Sequence, residues 1–225
     1  RTLMDPVDRI SNNFIRSLSK STVYQYPFRH WVLANSLPPE VLESIIQISV
    51  EAPSTEALVG TQRSEFEGRF FFSPNNRFIF PVCDEVARAF QALKVIQAIE
   101  ACADIKLTNT QLRIEYTQDC DGYFLEPHTD TIDPKIFTLV ITLPRAPHLA
   151  AMGTDLYNSD HTYVSTQPKT ISGGLAFVPD TQTWHGFEKK QIEGIRRSLI
   201  VNYVGEGWPQ TIDLSFPELM VGHST

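Results

Sequence analysis

Residues 112–143 read LRIEYTQDCDGYFLEPHTDTIDPKIFTLVITL. Two runs in this stretch, Leu112–Tyr116 and Ile136–Leu143, are rich in β-branched and aromatic residues and predict strands. Between them Asp, Gly and Pro supply turns, and Glu126-Pro127-His128-Thr129-Asp130 sets an imidazole and a carboxylate two positions apart. In an extended segment residues i and i+2 share a face, so both groups can reach one cation.

Downstream, Leu175–Val178 and Ser198–Val204 repeat the strand texture, with Gly, Pro, Asp and Asn between. Upstream the texture is helical. Ile10, Phe14, Ile15 and Leu18 lie at helical spacing within residues 1–20, and Tyr24 to Leu33 is aromatic and extended. Ser36-Leu37-Pro38-Pro39-Glu40 predicts a helix start, with the helix running to about Val50 and stopping before Pro53. Arg69–Phe72 and Arg77–Phe80 read as short aromatic strands. Pro81 opens a helix to about Ala103, with Val82, Val86, Phe90, Leu93, Ile96 and Ile99 as its apolar stripe. Helices first and short strands afterwards predict an α+β fold: a double-stranded β-helix, or jelly-roll, core over about 106–210, with a helical layer from about 1–105 packed on it. All 225 residues are expected to form one domain.

Bulk composition narrows the function. Hydrophobic residues make up 42% and charged residues 20%, the balance of a globular protein that buries a core without staples. A net charge of -7, with Lys189-Lys190 and Arg196-Arg197 only isolated basic pairs, argues against a nucleic-acid partner. Cys83, Cys102 and Cys120 form no CxxC pair, so neither a disulfide framework nor a zinc knuckle is expected, and a reducing, cytoplasmic setting fits. No apolar run approaches the ~20 residues of a membrane span, so no membrane partner is expected.

His-x-Asp alone is weak, since a chain of this composition holds a His-x-Asp/Glu match by chance about half the time. A second imidazole strengthens it: Trp184-His185-Gly186 follows further along the chain. Two His and one carboxylate on one face of a metal leave the opposite positions open, which suits non-haem Fe(II). The order of motifs is more specific still. Leu112–Tyr116, Gly122-Tyr123, Pro127–Asp130, Lys135–Leu143, Gly153–Tyr157, Gly173–Phe177, Trp184–Phe187 and Arg196–Tyr203 follow one another at workable spacing. Over this C-terminal part the chain resembles the 2-oxoglutarate/Fe(II)-dependent oxygenase superfamily, in its prolyl-hydroxylase-like branch.

That resemblance implies an iron held by His128, Asp130 and His185, with 2-oxoglutarate and O2 as cosubstrates. The implied reaction is hydroxylation of an unactivated C–H bond with release of succinate and CO2. Asp130 disfavours the related halogenases, which carry a small residue there. The resemblance also implies a basic residue beyond the distal His for the far carboxylate of 2-oxoglutarate, and Arg196 and Arg197 are both near that place. Strand alternation puts Arg196, Ser198, Ile200 and Asn202 on one face, and the Arg-x-Ser pattern favours Arg196 with Ser198. Tyr116, 12 residues before His128, matches a phenol that reaches the cosubstrate in the family, and Thr142 is expected to face the same pocket.

Substrate identity is not legible. Variable loops build such pockets, and Tyr123, Asp155, Tyr157 and Trp184 are the expected substrate contacts, with Arg63, Arg69, Arg77 and His161 as further polar groups. The expected substrate is a small polar molecule, free or linked to a carrier or peptide. Two other classes are compatible with the residues: a cupin-type metal enzyme that does not use 2-oxoglutarate, and a β-sandwich binding module without catalysis.

Overall fold

The computed structural model describes residues 2–50 and 69–222. Its strands form two antiparallel sheets. The larger runs, in spatial order, β1 (Thr22–Tyr24), β2 (His30–Leu33), β9 (Gly174–Phe177), β6 (Lys135–Thr142), β11 (Arg196–Val204), β4 (Gln111–Asp119) and β3 (Arg69–Phe71). The smaller runs β5 (Leu125–His128), β10 (His185–Phe187), β7 (Thr154–Tyr157) and β8 (Tyr163–Gln167). From β4 to β11 the chain winds back and forth between the two sheets. This is the double-stranded β-helix that the sequence predicts.

The central strands explain why one side of the larger sheet is oily and the other charged. β11 pairs with β4 from Arg196 opposite Asp119 to Val204 opposite Gln111. Alternation then sends Leu112, Ile114, Tyr116, Leu199, Val201 and Tyr203 outward into the main apolar core. The inward face carries Arg113, Glu115, Thr117 and Asp119 beside Arg196, Ser198, Ile200 and Asn202.

Helices cover the outward face. These are α1 (Pro6–Ser19), α2 (Pro39–Ile46), α4 (Pro81–Gln91) and α5 (Leu93–Ala103). α1 starts where Asp5 accepts a hydrogen bond from the Val7 amide and Pro6 takes the first turn. It buries Ile10, Phe14 and Leu18, with Phe14 edge-on to Phe90 at 5.0 Å between ring centroids. The Tyr203 hydroxyl donates to the Phe90 carbonyl at 2.6 Å and so ties β11 to α4. Removing the Phe90 ring, as in Phe90→Ala, would cost about 3–5 kcal/mol.

Three local expectations fail. Arg77–Phe80 is not a strand but lies in and just after α3 (Pro74–Ile79), which Ser73 caps by accepting from the Asn76 amide. The aromatic run hid a Ser-Pro helix start. The helix expected from Pro81 to Ala103 is two helices, because Ala92 sits in the extended region (φ -63, ψ 137). Neither Gly nor Pro marks that break. α2 ends at Ile46 rather than near Val50. Arg63 lies outside the described residues. Among the described residues, no helix is long and apolar enough to cross a membrane.

Candidate metal centre

The smaller sheet brings His128, Asp130 and His185 together. β10 runs antiparallel to β5 with His185 directly opposite His128, and their ring centroids lie 4.3 Å apart. This close pairing depends on Gly186, since a Cβ there would meet the Leu125 carbonyl at 2.4 Å. β5 ends at His128, and Asp130 turns the chain with φ +68, a left-handed conformation that Asp tolerates. The carboxylate therefore reaches the imidazoles through a turn, not through the strand alternation expected from sequence.

Hydrogen bonds fix how the rings present themselves. His128 Nδ1 lies 2.9 Å from the Glu126 carbonyl and His185 Nδ1 lies 2.7 Å from the Thr183 carbonyl. A carbonyl only accepts, so both Nδ1 atoms carry the proton and both Nε2 atoms offer a lone pair. His128 Nε2 is 3.2 Å from Asp130 Oδ1, and His185 Nε2 is 3.4 Å from Oδ2. The three ligand atoms all lie within 4.8 Å of one another. Lone pairs converging on a carboxylate repel unless a proton or a cation sits among them, so the donor set fits a divalent metal.

Asp130 is ionised for a stated reason. Burial raises its carboxyl, but His185, Lys135 and His128 beside it outweigh that and hold it well below the usual carboxylate range. Lys135 Nζ stands 3.1 Å from Oδ1.

A cavity of about 520 Å³ lies between the sheets beside this cluster. Arg196 and Ser198 line one end, and Arg113, Glu115 and Arg69 line the other. Asn202 lies six positions after Arg196 on β11, a span of about 20 Å. At the first end Arg196 is clamped: Nε donates to the Met152 carbonyl (2.8 Å), Nη2 to the Gly153 carbonyl (2.8 Å) and Nη1 to Asp119 Oδ2 (2.6 Å). The Phe187 ring lies 4.2 Å from its guanidinium carbon. Beside it the Ser198 hydroxyl is buried with no hydrogen-bond partner among the described residues. At the second end Arg69 forks onto Glu115 at 2.6 and 3.1 Å. Arg113 reaches Glu115 (3.0 Å), Asp213 (3.2 Å) and Asn202 (3.1 Å), and Asn202 donates onward to Thr138.

The other expected residues divide. Tyr123 lines the cavity and packs on Phe187, while Trp184 lines an adjoining recess with Pro127 and Ile132 and lies against the tilted ring of His161. Thr142 shares the inward face, yet its hydroxyl donates to the Thr170 carbonyl at 2.5 Å and it does not line the cavity. Tyr116 points the other way, into the helix-covered core beside Arg197, because it alternates with Leu112 and Ile114. Asp155 is consumed by Thr166, the Glu188 amide and Lys190. Tyr157 packs on Tyr163, outside the cavity lining. Arg77 pairs with Asp84. Sequence reasoning passed over Arg113 and Glu115. Their signal was present in Leu-Arg-Ile-Glu-Tyr: charges alternating with apolar residues on a strand buried on both faces.

No protein-family model matches the chain, and no curated protein does either. Solved structures do. A Pseudomonas putida prolyl-4-hydroxylase superposes with a TM-score of 0.58 at 15% identity, covering 88% of this chain and 100% of that one. The fold is that of the prolyl-hydroxylase-like 2-oxoglutarate oxygenases. A Trichoplax adhaerens prolyl hydroxylase, solved with a hypoxia inducible factor peptide fragment, gives 0.53 at 16% identity over 89% of this chain and 91% of its own. The viral collagen prolyl hydroxylase from Paramecium Bursaria Chlorella virus-1, in its 2OG complex, gives 0.52 at 13% identity over 78% and 94%. This prolyl-hydroxylase-like architecture carries here a His-Asp-His cluster at one cavity wall.

Proposed function

We propose that the protein is an Fe(II)- and 2-oxoglutarate-dependent oxygenase that hydroxylates a C–H bond of a polar substrate and releases succinate and CO2. The observation that carries this is the His128, Asp130 and His185 cluster, with both Nδ1 protons capped, facing a cavity that holds Arg196 and Ser198. Iron held by those three residues would supply O2 activation and C–H cleavage, chemistry that no side chain provides.

The remaining residues would position and shield. Arg196 is the partner for the far carboxylate of 2-oxoglutarate, since a guanidinium meets a carboxylate with charge-assisted hydrogen bonds. Ser198 supports the same role, because a buried hydroxyl left unpaired costs about 1–3 kcal/mol and a carboxylate oxygen beside Arg196 would satisfy it. Electrostatics agrees. Burial and the neighbouring Arg196 push the Arg145 guanidinium down to about 9, against the opposing pull of Asp119. It stays charged at neutral pH, so this end holds more positive than negative charge and favours an anion. Thr142 would brace the wall through its bond to Thr170 rather than touch the ligand. Tyr123 and Phe187 would exclude water from that end.

At the other end Arg69, Glu115 and Arg113 favour a polar substrate group offering donors and acceptors. Trp184 and Ile132, in the recess next to the cluster, are available to flank a substrate carried on a peptide or carrier. The Trichoplax structure with its peptide fragment supports keeping that form of substrate beside a free small molecule.

Anaerobic addition of Fe(II) and then 2-oxoglutarate tests the proposal. A weak visible charge-transfer band should appear only with both present, and admission of O2 should yield succinate. Iron binding without the band would instead favour a cupin-type metal enzyme.

A further inference from the structure

We infer that Asp119 is a specificity-determining residue, a counter-ion built into the Arg196 end of the cavity that weakens its hold on the distal carboxylate of 2-oxoglutarate. This rests on the cosubstrate reading above. The register of β4 and β11 sets Asp119 directly opposite Arg196, and Asp119 is fully buried. Its Oδ2 accepts from Arg196 Nη1 at 2.6 Å, while the Met152 and Gly153 carbonyls take Nε and Nη2. Three of the five guanidinium N–H groups are therefore engaged by the protein itself, and the charge of Arg196 is already answered. A ligand carboxylate arriving at the remaining N–H groups and at the Ser198 hydroxyl would stand beside a second, fixed carboxylate.

That arrangement has a reason in the protein alone. Arg145, whose three nitrogens donate to the Leu143, Met152 and Arg197 carbonyls, sits against the same site. Arg145 and Arg196 buried together without Asp119 would repel, so the carboxylate steadies the unliganded fold. The same charge opposes the incoming anion. Two carboxylates at neighbouring positions in a buried site weaken anion binding by about tenfold to a hundredfold. Occupancy of the site then follows the concentration of the oxo acid instead of saturating at its lowest levels.

The test compares two oxo acids on the Fe(II)-loaded chain without oxygen. 2-Oxoglutarate carries the distal carboxylate, and 2-oxobutyrate offers the same chelating end without it. Asp119→Asn should bind 2-oxoglutarate about tenfold or more tightly than the wild type, with 2-oxobutyrate changed by less than about twofold. Its melting temperature without ligand should fall, and its shift on adding 2-oxoglutarate should exceed that of the wild type. Asp119→Glu keeps the charge and should keep the wild-type ratio between the two acids. If Asp119→Asn does not fold, Asp119→Ser, which leaves room for water, is judged by the same ratio. Equal or weaker 2-oxoglutarate binding in the neutral variant overturns the inference, because Asp119 would then be holding Arg196 in place for the ligand. Failure of the wild type to bind either acid would sink the cosubstrate reading beneath it, and the two failures look different.

Discussion

The two walls of the cavity are built on opposite principles. The larger sheet meets it chiefly with the long strands β4 and β11, and the charged groups there are answered by one another or by close neighbours: Arg69 with Glu115, Arg113 with Glu115 and Asp213, Arg196 with Asp119. The smaller sheet meets it with strands of three and four residues that carry His185 and His128, whose donor atoms converge with that of Asp130 from the turn after β5. There the backbone has taken the Nδ1 protons and left lone pairs against a carboxylate. Pairing marks groups whose positions the fold secures by itself. Convergence of like donors marks a site that a cation completes. Mutations on the two walls should therefore fail in different ways.

The smaller sheet should give the largest effect. His128→Ala, Asp130→Ala and His185→Ala should each reduce succinate formation by orders of magnitude, since three ligands leave no spare. Their folds should survive, because removing one member relieves the convergence of lone pairs and carboxylate. Succinate assays beside thermal melts and iron content check both halves. A variant that keeps near-wild-type succinate production would remove that residue from the ligand set.

On the larger sheet the order reverses, with stability lost first. Arg113 is only 5% exposed, and Arg113→Met would strip Asp213 of its guanidinium partner and leave Glu115 with Arg69. Breaking a buried pair in this way costs about 3–5 kcal/mol, to be read from denaturant unfolding, while iron binding to the folded fraction should be unchanged. Arg196→Ala belongs to the same wall but touches the cosubstrate. Its 2-oxoglutarate affinity should fall by about 30-fold or more, and stability should fall with it, because Asp119 is left buried without its arginine. Arg196→Lys should recover only part of the affinity, lacking the planar fork. Arg197→Ala, on the outward face, should bind 2-oxoglutarate nearly normally. A titration in which Arg197→Ala is the weakened variant would reverse the assignment of faces.

The same contrast explains what could be read without coordinates. The metal cluster was legible because its residue types and order are chemically restrictive, even though Asp130 arrives through a left-handed turn rather than along the strand. That Arg196 and Ser198 share one face of β11 was legible from period two, while their proposed role came from the Arg-x-Ser pattern of the family the chain resembles. β5 and β10 were not legible, since three or four residues cannot display a period. The break at Ala92 carries no residue that forbids helix, so packing decides it. Arg113 and Glu115 were missed for another reason: inward charges on a central strand look like a solvent face until both sides are known to be covered.

Tyr116 sharpens the comparison, because it lies on the strand that carries Arg113, Glu115 and Asp119 yet belongs to the opposite face. Spacing within the family suggested a phenol reaching the cosubstrate. Alternation within β4 sets it instead with Leu112 and Ile114 in the core under the helices. Burial pushes its phenol up against the pull of Arg197, so the group is neutral at working pH and offers no charge to the cavity. Tyr116→Phe keeps the ring and removes one oxygen with no reach to the ligand. Its 2-oxoglutarate affinity should stay within about twofold of the wild type, and stability should change by no more than about 1 kcal/mol, the net worth of an ordinary hydrogen bond. The charge-transfer titration used for Arg196→Ala measures this directly. A loss approaching that of Arg196→Ala would mean that the outward face of β4 reaches the cosubstrate after all, and the division between the faces of the larger sheet would have to be redrawn.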